Sequence, residues 1–257
     1  IIILGGGQTS AYAAREIRSI DKESKITLIS EEANLPYERP PLSKECLLGK
    51  RSYNQCLFFD KDFYQNENIQ IIQNEKIIKT QLQEKKLYSN SNTYSFDQLL
   101  ISTGSINRKL ILKSESPELL YLRNINDCEK IKKQLIQAKK ILIIGGGFIG
   151  LEIAAVASQQ GKQVYIVEMV KTLMGRVIPE QISKIVQQTH ESYGCKFYLS
   201  KNIKNITKNN NIYEAELESK KKIKADLIIV GVGSIPNTEI FQDSELQIDN
   251  GILTNEY

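Results

Sequence analysis

"ILIIGGG", residues 141–147, is nearly a copy of "IIILGGG", residues 1–7. Each is a run of branched apolar residues that stops at three glycines. A strand of a parallel sheet reads as an unbroken Ile/Val/Leu run because helices cover both faces of the sheet. An alanine-bearing stretch follows each run: residues 8–20 with Ala11, Ala13 and Ala14, and residues 148–160 with Ala154, Ala155 and Ala157. Small side chains let a helix lie close to a sheet. A second apolar run comes after each helix, "KITLIS" (25–30) and "QVYIVE" (163–168). Both units therefore read as β-α-β, the crossover of a parallel sheet.

The echo goes further. "NIQII" (68–72) and "CKFYL" (195–199) read as third strands. Polar, β-leaning stretches broken by turn residues come next, "SNSNT" (89–93) and "TKNNN" (207–211). Then "DQLLISTG" (97–104) and "ADLIIVGVG" (225–233) are apolar strands ending in Gly. One order of elements repeated at domain scale is an internal duplication. The expected fold is α/β: two Rossmann-like dinucleotide-binding domains with three-layer ββα/βαβ sheets and β-meander insertions.

Composition agrees with this. A chain of 257 residues, 41% hydrophobic and 25% charged, can bury two cores. No window approaches 18 consecutive apolar residues, so no transmembrane helix is expected. The net charge of +4 is mildly basic, and clusters such as "KKKIK" (220–224) read as solvated faces, so nucleic acid is not an expected partner. Cys46, Cys56, Cys128 and Cys195 are scattered without a C-x-x-C, which predicts free thiols in a reducing, cytoplasmic setting and no metal site. The chain opens on Ile1 with neither initiator Met nor charged leader, which leaves an N-terminal targeting segment open.

The glycine turns carry the chemistry. The second reads Gly145-Gly146-Gly147-Phe148-Ile149-Gly150, a full G-x-G-x-x-G. Its first Gly allows a tight turn, its second lets backbone approach a pyrophosphate, and its third lets the helix pack on the strand. The first copy, Gly5-Gly6-Gly7-Gln8-Thr9-Ser10, has Ser10 at the third position, where modest crowding is expected. Phosphates would sit on the free N–H groups at the positive end of each helix. A carboxylate closing the second strand accepts ribose hydroxyls. Glu168 ends "YIVE" and would repel a 2′-phosphate, which predicts NADH over NADPH, with Lys171 nearby as a counterweight. In the first unit Glu31 and Glu32 follow "ITLIS". Two dinucleotide sites on one chain suggest hydride exchange between NADH and a flavin.

The stretch "LPYERPPLSKECLLG" (35–49) reads by itself as a stiff, extended loop, because Pro40 and Pro41 fix φ and bar helix. It also resembles the loop after the second strand in FAD-dependent pyridine nucleotide oxidoreductases of the oxygenase-coupled NADH–ferredoxin reductase branch. "TGSINR" (103–108), "GGGFIGLE" (145–152), "TLMGRV" (172–177) and "GVGSIPN" (231–237) are similar to segments of that family in the same order. The resemblance implies that the first unit holds FAD. Gly5, Gly7 and Ser10 would be at its pyrophosphate, Glu31 and Glu32 near the adenosine ribose, and Arg39, Lys44, Thr103, Gly104 and Arg108 in contact with it. Ile77 matches a position whose backbone touches the adenine. NADH would lie on Gly145, Gly147, Ile149, Gly150, Glu152, Glu168 and Gly233, with Phe148 covering the flavin; the other reading of Phe148 is core packing. Lys44 and Glu152 are expected to form an ion pair where flavin meets nicotinamide.

The implied partners are NADH and a small iron–sulfur protein, a two-iron, two-sulfur ferredoxin or a rubredoxin. The alternatives are an NADH-dependent thiol or peroxide reductase, with Cys46 as the sole candidate thiol, a flavoprotein like apoptosis-inducing factor, and an inactive fragment. Members of the family continue past a segment that "GILTNEY" (251–257) resembles, so the chain is expected to lack part of the FAD domain. The expected layout is an FAD domain of residues 1–112 plus 237–257 and an NAD domain of residues 113–236, crossed at "SESPELL" (114–120) and "IPNTE" (235–239).

Overall fold

The computed structural model describes residues 1–112 and 117–256. The chain divides into two compact units, one of Ile1–Glu38, Tyr53–Ile106 and Ile235–Tyr257, the other of Arg39–Ser52 and Asn107–Ser234. Each is a Rossmann-like α/β unit.

In the first unit Ile2–Leu4 is central. It pairs in parallel with Ile26–Ile29 and with Leu99–Ile101, and Ile69–Ile72 extends the sheet beyond Ile26–Ile29. Alternation along the central strand creates three layers. Ile3 packs with Ala14, Ile26, Tyr64 and Ile69 on the helical face. Ile2 and Leu4 pack with Ile29, Ile77, Leu87 and Phe241 on the opposite face. That second face is roofed by an antiparallel meander of Lys79–Gln81, Lys86–Tyr88 and Thr93–Ser95. The C-terminal stretch returns here: Phe241 is fully buried in this core, and Thr80 Oγ1 donates to Ile240 O at 3.0 Å.

The second unit repeats the plan. Its five parallel strands run in the order Lys196–Tyr198, Gln163–Val167, Lys140–Ile144, Leu227–Val230, Leu120–Tyr121. Leu142, Ile144 and Val167 meet Ile206, Tyr213 and Ala215 of a meander made by Ile203–Asn209, Ile212–Leu217 and Lys222–Ala225. Helices Gln8–Ile20 and Phe148–Gln159 each follow a glycine turn. The buried stripe of the first is Ser10, Ala11, Ala14 and Arg18.

The structure differs from the expected layout at residues 39–52, at 107–112, which fall in the second unit, and at 235–236, which fall in the first. Arg39–Ser52 packs in the second unit, where Leu42, Cys46 and Leu47 are buried. Cys128 Sγ donates to Leu42 O at 3.2 Å, and Arg39 Nη1 donates to Arg123 O at 2.9 Å. The proline segment is also not extended: Pro40–Ser43 forms a 3-10 turn. Proline suits the first helical positions because its missing N–H has no intrahelical acceptor there. The crossing expected at 114–120 begins in residues 113–116, which lie outside the described residues, as does Tyr257 at the end of 251–257. Among the described residues no helix is long and apolar enough to cross a membrane.

Arg18 ties the first unit together from inside. It is 4% exposed, and its guanidinium donates to Glu67 O and Ser24 O at 2.8 Å, Asp21 O at 2.9 Å and Asn68 O at 3.2 Å. Truncation would take the donors from four half-buried carbonyls at once. Arg18→Ala is therefore expected to lower the unfolding free energy by about 3 kcal/mol in urea denaturation, and Arg18→Lys to recover only part, because an ammonium lacks the planar fork. The neighbouring Asp21 is pulled down to about 2 by hydrogen bonds from Ser24 and Glu23 and by Arg18. A depressed carboxylate stabilises above its unfolded pKa, so this contribution is full above about pH 4 and is lost as pH falls toward 2. Asp21→Asn should flatten that part of the pH–stability curve.

Candidate dinucleotide sites

Each glycine turn is held by contacts that leave room only for hydrogen. Gly5 has φ 137° and Gly145 φ 109°. Their N–H groups donate to Ile29 O at 2.9 Å and Val167 O at 2.8 Å. A Cβ on Gly5 would stand 2.2 Å from Ser102 O, and one on Gly145 2.3 Å from Gly231 O. At the third motif position, a Cβ on Gly150 would stand 2.2 Å from Gly145 O. In the first unit Ser10 fills that place, fully buried, with Oγ 2.9 Å from Ser102 Oγ. Ser102 Oγ in turn donates to Leu4 O at 3.1 Å, so Ser10 is the donor of the pair. Its hydroxyl is thus engaged inside the unit.

The middle glycines behave differently. A Cβ at Gly7 or Gly147 would meet nothing within 4 Å. Each is the N-cap of its helix, in extended conformation, without a side-chain cap. Neither helix carries an acid in its first turn. The other α-helices do: Asp60 caps Lys61–Asn66, Asn124 and Asp127 form a capping box on Ile125–Gln137, and Glu180 begins Glu180–Ser192. Among the described α-helices, only the two after glycine turns have neither a side-chain cap nor an acid in the first turn. That is the physical requirement for a pyrophosphate, and both open cradles fit one.

The closing acids are not equivalent. Glu168 Oε2 accepts from Gly146 N at 2.6 Å, and Oε1 from Val170 N at 3.0 Å. The carboxylate thus clasps the glycine turn, and each oxygen retains a lone pair for a hydroxyl. In the first unit the position after the second strand is Ser30, buried beneath Gly6; a Cβ on Gly6 would stand 2.2 Å from Ser30 Oγ. Glu31 is one residue farther on, exposed, with Lys76 Nζ 3.1 Å from Oε1. Glu32 Oε2 accepts from Tyr37 OH at 2.7 Å. Lys171 is held by Glu180, 3.1 Å away.

Lys44 and Glu152 meet within the second unit: Nζ is 2.9 Å from Oε1. Ser43 Oγ donates a hydrogen bond to the other oxygen, Oε2. Arg39 reaches Arg123 O, as above. Phe148 is 56% exposed and Ile149 42%, so neither is core of its unit. Ile77 places its side chain in the meander-side core of the first unit. Thr103 Oγ1 donates to Asn237 O at 2.7 Å, and Asn237 N to Gly104 O at 2.9 Å. Arg108 is exposed and its N–H donates to Gly233 O at 3.0 Å. Ser30, Ser43 and Ser102 were not singled out by sequence reading. Ser43 alone had a local signal, its adjacency to Lys44 in "PPLSK". All four cysteines are buried thiols outside any disulfide.

A model of the family described as pyridine nucleotide-disulphide oxidoreductase matches residues 1–257. The chain is 32% identical to rubredoxin-NAD(+) reductase of Pseudomonas putida over 259 residues, all of this chain and 67% of that protein. The ferredoxin reductase for the CYP199A2 system of Rhodopseudomonas palustris superposes with TM-score 0.92 at 31% identity, covering 98% of this chain and 63% of that one. The putidaredoxin reductase–putidaredoxin complex superposes with TM-score 0.94 at 28% identity, covering 99% of this chain and 63% of the reductase chain. The chain thus spans about two thirds of these relatives.

Two substitutions separate the roles of the second turn. Gly150→Ala is expected to destabilise by about 1–3 kcal/mol in chemical denaturation, since its Cβ meets backbone. Gly147→Ala should cost less stability, about 0.5–1 kcal/mol, the gap between Gly and Ala at an N-cap, yet weaken NADH binding about tenfold in calorimetric titration, because the methyl fills the phosphate cradle.

Proposed function

Because the chain belongs to the pyridine nucleotide-disulphide oxidoreductase family, we propose that it is the dinucleotide-binding part of an FAD-dependent reductase. It takes a hydride from NADH and passes single electrons to a small iron–sulfur protein, a ferredoxin or rubredoxin serving an oxygenase. The observation that carries this reading is the pair of uncapped helix N-termini behind two glycine turns in one chain. The relatives' acceptors, rubredoxin, ferredoxin and putidaredoxin, support the choice of partner. The burial of Cys46, 2% exposed, speaks against thiol chemistry at that residue.

The first unit is assigned FAD and the second NADH. When bound, FAD accepts a hydride and releases electrons singly. The chain's residues bind and orient. Gly5 and Gly7 shape the first cradle over Ser10, and Glu31 is the first acid after the second strand of that unit. In the second unit, Gly145, Gly147 and Gly150 shape the cradle, and Glu168, pinned by two N–H groups, presents fixed acceptors to ribose hydroxyls. Exposed Phe148 and Ile149 give the start of the second helix an apolar face. The Lys44–Glu152 pair supplies a held positive charge for the transfer step.

Glu168 decides the coenzyme. In the complete protein, kcat/KM for NADH is expected to exceed that for NADPH by at least about tenfold, roughly 1.4 kcal/mol, and Glu168→Ala to narrow the ratio. Steady-state assays with a two-iron, two-sulfur ferredoxin and with a rubredoxin as acceptors test both halves. Equal use of the coenzymes, or NADH oxidation that reduces neither acceptor, would overturn the assignment.

A further inference from the structure

The proline segment delivers two adjacent side chains to one carboxylate. Ser43 ends the 3-10 turn Pro40–Ser43 and is 4% exposed. Its Oγ bonds to Glu152 Oε2, while Lys44 Nζ lies 2.9 Å from Oε1. Pro40 O is 3.4 Å from Ser43 Oγ and 3.3 Å from Lys44 Nζ. The hydroxyl has one proton. Its charged acceptor, Glu152, makes the stronger bond, and Lys44, with three protons, can serve Pro40 O as well.

The Lys44 side chain is 44% exposed, and an ion pair that open to water holds its partners weakly. The buried hydroxyl has no such freedom. It ends a turn whose first two φ angles are fixed by Pro40 and Pro41, and it grips one carboxylate oxygen with a charge-assisted bond. With Oε2 held, the direction of Oε1 is set.

We propose that Ser43 is a positioning residue: it fixes the Glu152 carboxylate so that the second oxygen holds the Lys44 ammonium in place before hydride transfer. What the ammonium does there rests on the functional reading above; the aiming of the carboxylate does not.

The test uses the complete protein with Ser43→Ala, Ser43→Thr, Glu152→Ala and the Ser43→Ala/Glu152→Ala double variant. In a crystal structure of Ser43→Ala the Lys44–Glu152 contact should open beyond ~4 Å, the limit of an ion pair. In rapid mixing with saturating NADH, Ser43→Ala should slow FAD reduction about tenfold, the weight of one hydrogen bond to a charged group, and shift the NADH dissociation constant less than about twofold. Ser43→Thr should restore the rate. In the Glu152→Ala background, Ser43→Ala should change the rate less than about twofold, because a residue acting through Glu152 has nothing left to act on. An unchanged ion pair in the crystal, or a rate loss of equal size in both backgrounds, overturns the proposal. If Ser43→Ala fails to fold, Ser43→Cys, near in size but a weak donor, carries the same expectations. If NADH does not reduce the flavin of the wild type, the functional reading fails, and the crystal distance still decides the role of Ser43.

Discussion

A carbonyl oxygen close enough to a glycine to exclude even one methyl group sets the plan of both units. Ser102 O does this to Gly5 and Gly231 O to Gly145. Each oxygen lies just past the strand that neighbours the central one, so the close approach fixes where that strand ends and where the helix begins. The positive φ of the glycine then turns the chain back over the sheet. The helix then begins on a glycine N-cap, so no side chain caps its first N–H groups. The packing constraint and the anion cradle are one feature seen from two sides.

The two copies differ in the residue that follows the second strand. In the second unit Glu168 both braces the glycine turn and offers oxygens outward. In the first unit these tasks fall to different residues: buried Ser30 lies under the turn and exposed Glu31 carries the charge. Ser10 and Gly150 differ likewise. A buried hydroxyl needs a partner, and Ser102 supplies one. Buried polar groups in the first unit are thus spent on bracing backbone, as with Arg18 and its four carbonyls.

Much of this was legible in the order of residues. The β-α-β units, the helix bounds at Gln8–Ile20 and the alternation that makes three layers follow from period, from small residues and from the sterics of glycine, all of which act between near neighbours. The family was legible from five segments in order, and the match over residues 1–257 shows it. The uncapped helix starts were legible too, as glycines at positions where Lys61–Asn66 and Ile125–Gln137 carry Asp60 and Asn124.

Other features were decided only in three dimensions. No local pattern says that Arg39–Ser52 packs in the second unit and not with the strand it follows; that depends on which surface buries Leu42, Cys46 and Leu47. The prolines of that segment fix φ but not ψ, so extended chain and 3-10 turn were equally open until packing chose. Ser43 gripping Glu152, and Ser30 standing where Glu168 stands in the other unit, are pairings across long stretches of chain. Sequence proximity carries no term for them, because their energy comes from desolvation and hydrogen-bond geometry that exist only once the chain has closed.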